Sequence, residues 1–124
     1  MPIPKKIVAL VLERDKYRCV LAGPECTGVA TVADHRANRG MGSSGVLNSP
    51  SNLIAACERD NGAKEDAYGV ILAELKRRGV RVEKDSTNAK TLARCLSIPV
   101  LYPDGVERVL TSDGRAVPVG EVPA

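Results

Sequence analysis

Residues 27–66, with the sequence TGVATVADHRANRGMGSSGVLNSPSNLIAACERDNGAKED, decide the fold. The β-branched run at 27–33 predicts a short strand that leads directly into Asp34 and His35. Residues 36–51 are rich in Gly, Ser, Asn and Pro, and they therefore predict a long loop. Because loops of this length in small domains usually carry function, the polar residues at its ends are candidates for a site.

The second half of this stretch predicts a strand followed by a helix. The apolar segment NLIAA at 52–56 is typical of a short strand or a turn. Helical spacing then extends over about 58–78, where Ala67, Ile71 and Leu75 form an apolar stripe. The expected order is therefore strand, long loop, short strand and long helix.

Periodicity also predicts elements outside this stretch. Apolar residues at helical spacing indicate a helix over about 5–16. Residues 80–82 are a candidate strand. A further short helix can be capped by Ser86 or Thr87, and Pro99 ends it.

The tail of the chain alternates apolar and polar residues around two Asp-Gly turn signals, at 104–105 and 113–114. This pattern predicts a β-hairpin or meander. Helices and strands are thus mixed along the chain, and we expect the α+β class. A length of 124 residues predicts a single domain, 1–124.

Composition limits the function classes. The apolar fraction of 44% excludes a disordered chain, and an aromatic fraction of 2% argues against single-strand binding by base stacking. No apolar run approaches about 18 residues, and charges interrupt the apolar start after Leu12. We therefore expect a cytoplasmic protein with no membrane partner. A net charge of +3 permits nucleic-acid binding without requiring it.

Four polar residues have the chemistry that phosphodiester hydrolysis needs. His35 is the one histidine of the chain, and a neutral imidazole can deprotonate water. The Asp34 carboxylate and the Asn61 amide are oxygen ligands suited to a hard divalent cation. Asn52 lies seventeen residues after His35 and nine before Asn61, and it can pin the backbone across the loop. Taken alone, His35 is better explained as a satisfied buried or surface imidazole, Asn52 as a turn or cap residue, and Asn61 as an Asx-turn or helix start, so the ordered set carries the hypothesis.

The ordered set resembles the HNH endonucleases, also called ββα-metal or His-Me finger nucleases. The matching stretch covers about residues 14–66, with a thiol pair in RDKYRCVLAGPEC, the DH of VADHRANRG, a Gly-rich loop, PSNLI, and ERDNGAK. The RGMG and PSNLI pieces are most similar to small HNH proteins of actinobacterial phages and prophages. The resemblance implies an N-terminal helix, a ββα-metal core at about 14–78 with a long helix after the motif, and an extension at about 79–124.

The resemblance also implies roles for the four polar residues. His35 is then the general base that activates water, and Asn52 is the middle asparagine that steadies the loop and the base. Asp34 and Asn61 are ligands of a catalytic Mg²⁺ or Mn²⁺, with Asn61 at a position where other members have histidine. The implied activity is an endodeoxyribonuclease that nicks or cuts double-stranded DNA.

Three basic residues near the predicted site, Arg36, Arg39 and Lys64, are candidates for phosphate contacts, with solvated surface charges as the alternative. Small phage proteins of this type often act beside the terminase, which implies a DNA-packaging accessory that binds terminase subunits. The alternative is a non-catalytic DNA-binding or terminase-docking module on a decayed HNH scaffold. Asn61 and an incomplete cysteine set motivate that alternative.

The cysteines suggest a second, structural metal site. Many HNH proteins hold a structural zinc through two Cys-x-x-Cys pairs, and here Cys19 and Cys26 form a wider first pair. In the second pair Cys57 is followed by Asp60, and a carboxylate is an accepted zinc ligand. Cys95 is an alternative fourth ligand. A further hypothesis is that the cysteines are small buried residues without a metal.

Overall fold

The computed structural model describes residues 2–23, 26–38 and 45–121, and it mixes helices with two small antiparallel sheets. The expected α+β class is confirmed. The helices are α1 (Lys5–Arg14), α2 (Glu58–Glu65), α3 (Gly69–Arg77) and α4 (Asn88–Ser97). The strands are β1 (Val32–His35), β2 (Leu53–Ala56), β3 (Val100–Leu101), β4 (Glu107–Leu110) and β5 (Ala116–Pro118). None of the helices in the described ranges has the length and apolarity needed to cross a bilayer.

Strands β1 and β2 form a two-stranded antiparallel sheet directly ahead of α2, and their register pairs His35 with Leu53. All four residues of β2 are apolar and buried. Strand β1 begins later than the predicted 27–33, so Asp34 and His35 lie within the strand. Since successive strand residues face opposite sides, Asp34 is buried while His35 stays partly exposed.

The single long helix predicted over 58–78 is wrong, because the chain forms α2 and α3 with a break at 66–68. The side chains that α2 buries are polar, whereas α3 buries Leu75. One continuous apolar face therefore does not form, and Ile71 is 53% exposed. The new helix starts at Gly69 with φ +60°, a backbone conformation that glycine adopts readily.

Helix α4 and the C-terminal sheet agree with the predictions. The Thr87 hydroxyl caps α4 by accepting the backbone N–H of Lys90 at 3.1 Å. Strands β3, β4 and β5 form an antiparallel meander. Its two turns hold Gly105 and Gly114 at φ +84° and +91°, where glycine is favoured.

The predicted strand at 80–82 is wrong. The backbone N–H groups of Val80 and Arg81 both reach back to the Leu75 carbonyl and close the end of α3. The Val82 N–H donates to the Arg36 carbonyl at 2.9 Å. Because two of the three amides complete a helix end, this segment forms no strand ladder.

The main apolar cluster joins the predicted core at about 14–78 to the predicted extension at about 79–124. It combines α1, β2 and α3 with the C-terminal sheet and includes Val11, Ile54, Leu75, Val100 and Leu110. Residues before and after position 79 thus share one buried surface. This packing holds β1, β2 and α2 against a rigid support.

Candidate functional site

His35 lies at the end of β1 with its imidazole oriented by a buried asparagine. Its Nε2 is 2.8 Å from Oδ1 of Asn48, a residue 3% exposed in the 3₁₀ turn Val46–Asn48. An amide oxygen only accepts hydrogen bonds, so Nε2 carries the proton of the neutral ring and Nδ1 carries the lone pair. The ring is therefore held in a tautomer that can act as a base through Nδ1.

The sequence missed Asn48. The segment NSPSN offers two asparagines four residues apart, and nothing in their spacing separates the two roles. Tertiary packing of the 3₁₀ turn Val46–Asn48 brings Asn48, rather than Asn52, to Nε2 of the His35 ring.

Asn52 is fully buried and fastens the loop that joins β1 to β2. Its Oδ1 accepts the Ala37 N–H at 2.8 Å, while its Nδ2 donates to the carbonyls of Ala37 (3.1 Å) and Leu47 (2.9 Å). These bonds tie together the two ends of the loop. They support the predicted role of Asn52 in steadying the loop. The hydrogen bond with the His35 ring is made by Asn48 instead.

Asp34 pairs with Lys64, which corrects the prediction that Lys64 contacts phosphate. The Lys64 ammonium lies 2.6 Å from Asp34 Oδ2 and 2.6 Å from the His35 carbonyl oxygen. Lys64 is only 6% exposed, because it extends inward from α2 across β1. Its charge is thereby neutralised inside the protein and is not presented to a ligand.

Asn61 lies on α2 one turn before Lys64 and is partly buried. Residues three apart on a helix share a side, so Asn61 is on the side of α2 that carries Lys64 toward β1. The assignment of Asn61 as a metal ligand stays a prediction. Arg39, the second candidate for a phosphate contact, lies outside the described residues.

Arg36 cannot contact phosphate, because it is fully buried. Its guanidinium donates to four backbone carbonyls, those of Gly79 (2.8 Å), Ser51 (2.9 Å), Cys95 (2.8 Å) and Ile98 (2.6 Å). Burial lowers the pKa of Arg36 to about 10, so the side chain stays charged at neutral pH. Arg36 therefore joins the end of β1 to the C-terminal region, a role that its place in a polar loop did not indicate.

Cys19, Cys26, Cys57 and Asp60 form a cluster that can bind a metal ion. One ligand atom from each residue lies within 4.8 Å of all the others. Backbone N–H groups point at all three sulfur atoms, from Cys57 to Cys19 (3.2 Å), from Gly28 to Cys26 (3.2 Å) and from Asp60 to Cys57 (3.4 Å). Such bonds favour the thiolate form that a metal requires.

Asp60 has one carboxylate oxygen that lacks a partner among the described residues. Its Oδ2 accepts the Gly23 N–H at 2.8 Å and the Cys19 thiol at 3.3 Å, but its Oδ1 is buried without a hydrogen bond. A buried oxygen of this kind is costly unless a proton or a cation binds it. The orphaned oxygen therefore fits a metal ligand.

The surroundings of the three thiols shift their pKa values in different directions. Burial raises the pKa of Cys19 to about 12 and also raises that of Cys26. Burial acts on Cys57 in the same direction, but hydrogen bonds from Thr27 and Asp60 outweigh it and lower the pKa. A metal cation has to supply the charge that makes all three sulfurs ligands together.

Cys95 does not belong to this cluster. It packs with Ala37 and Val82, and its thiol donates to Asn52 Oδ1 at 3.2 Å. The hypothesis that Cys95 is the fourth ligand is therefore wrong, since its sulfur is engaged at the loop that Asn52 fastens.

Comparisons of the chain with protein-family models, with curated proteins and with solved structures found no match. The geometry around His35, Asp34 and the cysteine cluster is therefore the basis for assigning a function.

Proposed function

We propose that this protein is a metal-dependent HNH-type endonuclease that hydrolyses phosphodiester bonds in double-stranded DNA. The observation that carries the proposal is the oriented His35 imidazole at the end of an antiparallel strand pair that runs directly into α2. The order β1, β2, α2 supports the proposal, because the sequence resemblance implies a ββα core. The buried Asn48 further supports the proposal, because a general base needs a ring held in one orientation.

His35 acts as the general base in this proposal. Nδ1 accepts a proton from water, whose oxygen attacks phosphorus as the bond to the 3′ oxygen breaks. The products are a 5′ phosphate and a 3′ alkoxide, which takes a proton from solvent water and becomes a 3′ hydroxyl. The Nε2–H remains on Asn48 Oδ1, so the imidazolium that forms keeps one strong hydrogen bond and its orientation.

Asp34 and Asn61 are the proposed ligands of Mg²⁺ or Mn²⁺. Both offer the hard oxygen donors that these cations prefer, and Asp34 directly precedes the proposed base His35 in the chain. The cation, when bound, supplies charge neutralisation at the scissile phosphate and the leaving oxygen. Lys64 holds the Asp34 carboxylate and the His35 carbonyl together, and so it is a positioning residue.

A structural Zn²⁺ held by three thiolates and the Asp60 carboxylate is the second part of the proposal. The donor set and the partnerless Asp60 Oδ1 support it. Cys57 caps α2 and Asp60 lies in its first turn, so the metal would fasten the start of α2 to the 19–26 segment. Asn61 follows directly, and the zinc would therefore fix the helix that carries it.

The decisive experiment is a plasmid cleavage assay on wild type and His35→Ala with Mg²⁺, Mn²⁺ or EDTA. We expect nicked or linear plasmid with a divalent cation, none with EDTA, and at least a ~10²-fold slower rate in His35→Ala. Circular dichroism and metal content should be unchanged in the variant. Full activity of a folded His35→Ala protein would overturn the mechanism.

One observation favours a second candidate function. Asp34 Oδ2 is already neutralised by Lys64, which leaves the carboxylate less need of a metal. The protein would then be a non-catalytic DNA-binding or terminase-docking module, such as a phage packaging accessory. It predicts salt-sensitive binding of DNA, or capture of a terminase large subunit, with no cleavage under any divalent metal.

A further inference from the structure

A basic cavity lies between the C-terminal end of α1 and the turn that joins β3 to β4. Its volume is about 530 Å³, within the range of small-ligand sites. Four of its lining side chains are basic, namely Arg14, Lys16, Arg18 and Arg108. Two are acidic, Asp15 and Asp104.

Both acidic side chains are already engaged, so they do not neutralise the rim. Asp15 is 5% exposed and accepts hydrogen bonds from Arg14 and from the Tyr102 hydroxyl at 2.6 Å. Asp104 pairs with Arg108 at 2.8 Å. The guanidinium of Arg108 also lies 4.6 Å from the centre of the Tyr102 ring, which fixes it in place.

Lys16 and Arg18 are the cations left over. Both are exposed, and neither side chain makes a hydrogen bond or an ion pair with any residue in the described ranges. Both residues line the cavity. Two exposed cations beside two acid–base pairs that are already neutralised give this cavity a net positive charge, which only a ligand or solvent can satisfy.

The backbone that presents Lys16 and Arg18 is strained. Lys16 and Tyr17 have φ +57° and +58°, a left-handed conformation rare for two successive residues other than glycine. The turn is held by the Tyr17 N–H on the Leu12 carbonyl (2.8 Å) and by the Ala30 N–H on the Tyr17 carbonyl (2.9 Å). Glycine would relieve the strain at position 16 but would remove the cation from the rim.

The floor of the cavity also contacts the strand pair that carries His35. Arg14 donates to the carbonyls of Pro50 (3.0 Å) and Leu53 (2.7 Å), and Leu53 is the partner of His35 in the sheet. The cavity is therefore one strand away from the proposed site of cleavage. That separation suits a second contact on the same extended polyanion.

We infer that the cavity is a second phosphate-binding site, which holds a backbone phosphate of the DNA at a distance from His35. The inference rests on the proposed function for the identity of its ligand. Lys16 and Arg18 approach the phosphate oxygens, while Arg108 stays on Tyr102 and Asp104. The same chemistry would also take the phosphate of a small ester such as a nucleoside monophosphate.

The test is DNA binding by the full chain in a chelator-free buffer without added Mg²⁺ or Mn²⁺, followed by fluorescence anisotropy of a labelled duplex across a range of salt concentrations. Lys16→Gln with Arg18→Gln is compared with Lys5→Gln with Lys6→Gln, a pair of exposed lysines at the other end of α1. We expect the cavity pair to weaken binding roughly tenfold and to reduce the salt slope by about two, and the control pair to weaken it less than about twofold. Thermal denaturation verifies that both proteins are folded.

Each result decides the inference. Equal losses of DNA affinity in the two double variants would show a general electrostatic effect and overturn the inference. If the wild type cleaves DNA and the Lys16→Gln, Arg18→Gln variant binds DNA as tightly as the wild type, the inference is also overturned. If the wild type neither binds nor cleaves DNA, the proposed function fails. Amide NMR titrations with inorganic phosphate and with AMP then decide the cavity alone: shifts at residues 14–18 that the cavity pair abolishes support it, and their absence overturns it.

Discussion

Each end of α2 lies beside a buried carboxylate, and the two carboxylates are in opposite electrostatic situations. Near its start, Asp60 has an oxygen that finds no partner among the described residues, beside three thiols. Near its end, Lys64 supplies Asp34 with a cation at 2.6 Å. The difference teaches that the first end of the helix lacks a counter-charge, which the proposed metal would supply, whereas the second is held by an ion pair that the chain provides itself.

Removing the metal ligands is expected to have the largest effect. Cys57→Ser should lose the bound metal and lower the melting temperature by more than ~10 °C, because structural zinc contributes on the order of 10 kcal/mol to folding. Metal analysis and thermal denaturation of the purified protein measure both. Cys95→Ser is the matched control and should retain the metal, since Cys95 lies outside the cluster. Equal metal content in the two variants would remove the zinc site.

Breaking the ion pair at the other end should cost less. Lys64→Met leaves the Asp34 carboxylate buried without its ammonium, and we expect a loss of about 3–5 kcal/mol in the free energy of unfolding, measured in urea. Adding Asp34→Asn should restore most of that loss, since no charge then stays buried. A single variant as stable as the wild type would show that the pair does not hold α2.

The orientation of His35 beside that pair can be tested through Asn48. Asn48→Ala should slow cleavage about 10- to 100-fold, because the ring loses the acceptor that sets its tautomer. Asn48→Asp keeps an acceptor but makes it anionic, which raises the pKa of the imidazole. The base form then appears at higher pH, so the pH–rate profile of Asn48→Asp should shift upward. Unchanged profiles in both variants would contradict the role of Asn48.

The smallest effect is expected at an exposed ion pair far from α2 in sequence. The hydrogen bonds from Arg108 hold the pKa of Asp104 at about 2. Because the folded pKa is depressed, this stabilisation is present above the ordinary pKa of aspartate near 3.9 and is lost as the pH falls toward 2. NMR titration should show the Asp104 pKa returning toward its ordinary value in Arg108→Gln, with little change in melting temperature.

Much of the fold was predictable because local rules act over short distances. A helix cap at Ser86 or Thr87, the two Asp-Gly turns and the α+β class follow from neighbouring residues alone, and the structure selects Thr87 as the cap. The break between α2 and α3 did not, because helical spacing continues through 66–68 while the buried surface changes from polar to apolar. Sequence periodicity shows where apolar residues occur along a helix, but it does not show which surface of the protein they pack against.

The candidate site divides in the same way. The sequence by itself determined which groups are present: one imidazole, a neighbouring carboxylate, and three cysteines with Asp60 at metal-ligand spacing. Tertiary structure decided their partners. In the folded chain Arg36 and Lys64 are buried, the His35 ring is hydrogen-bonded to Asn48, and Cys95 lies outside the cysteine cluster. The reason is physical: a residue's type sets the bonds it can make, but burial and tertiary packing decide which atoms come within 3 Å of it.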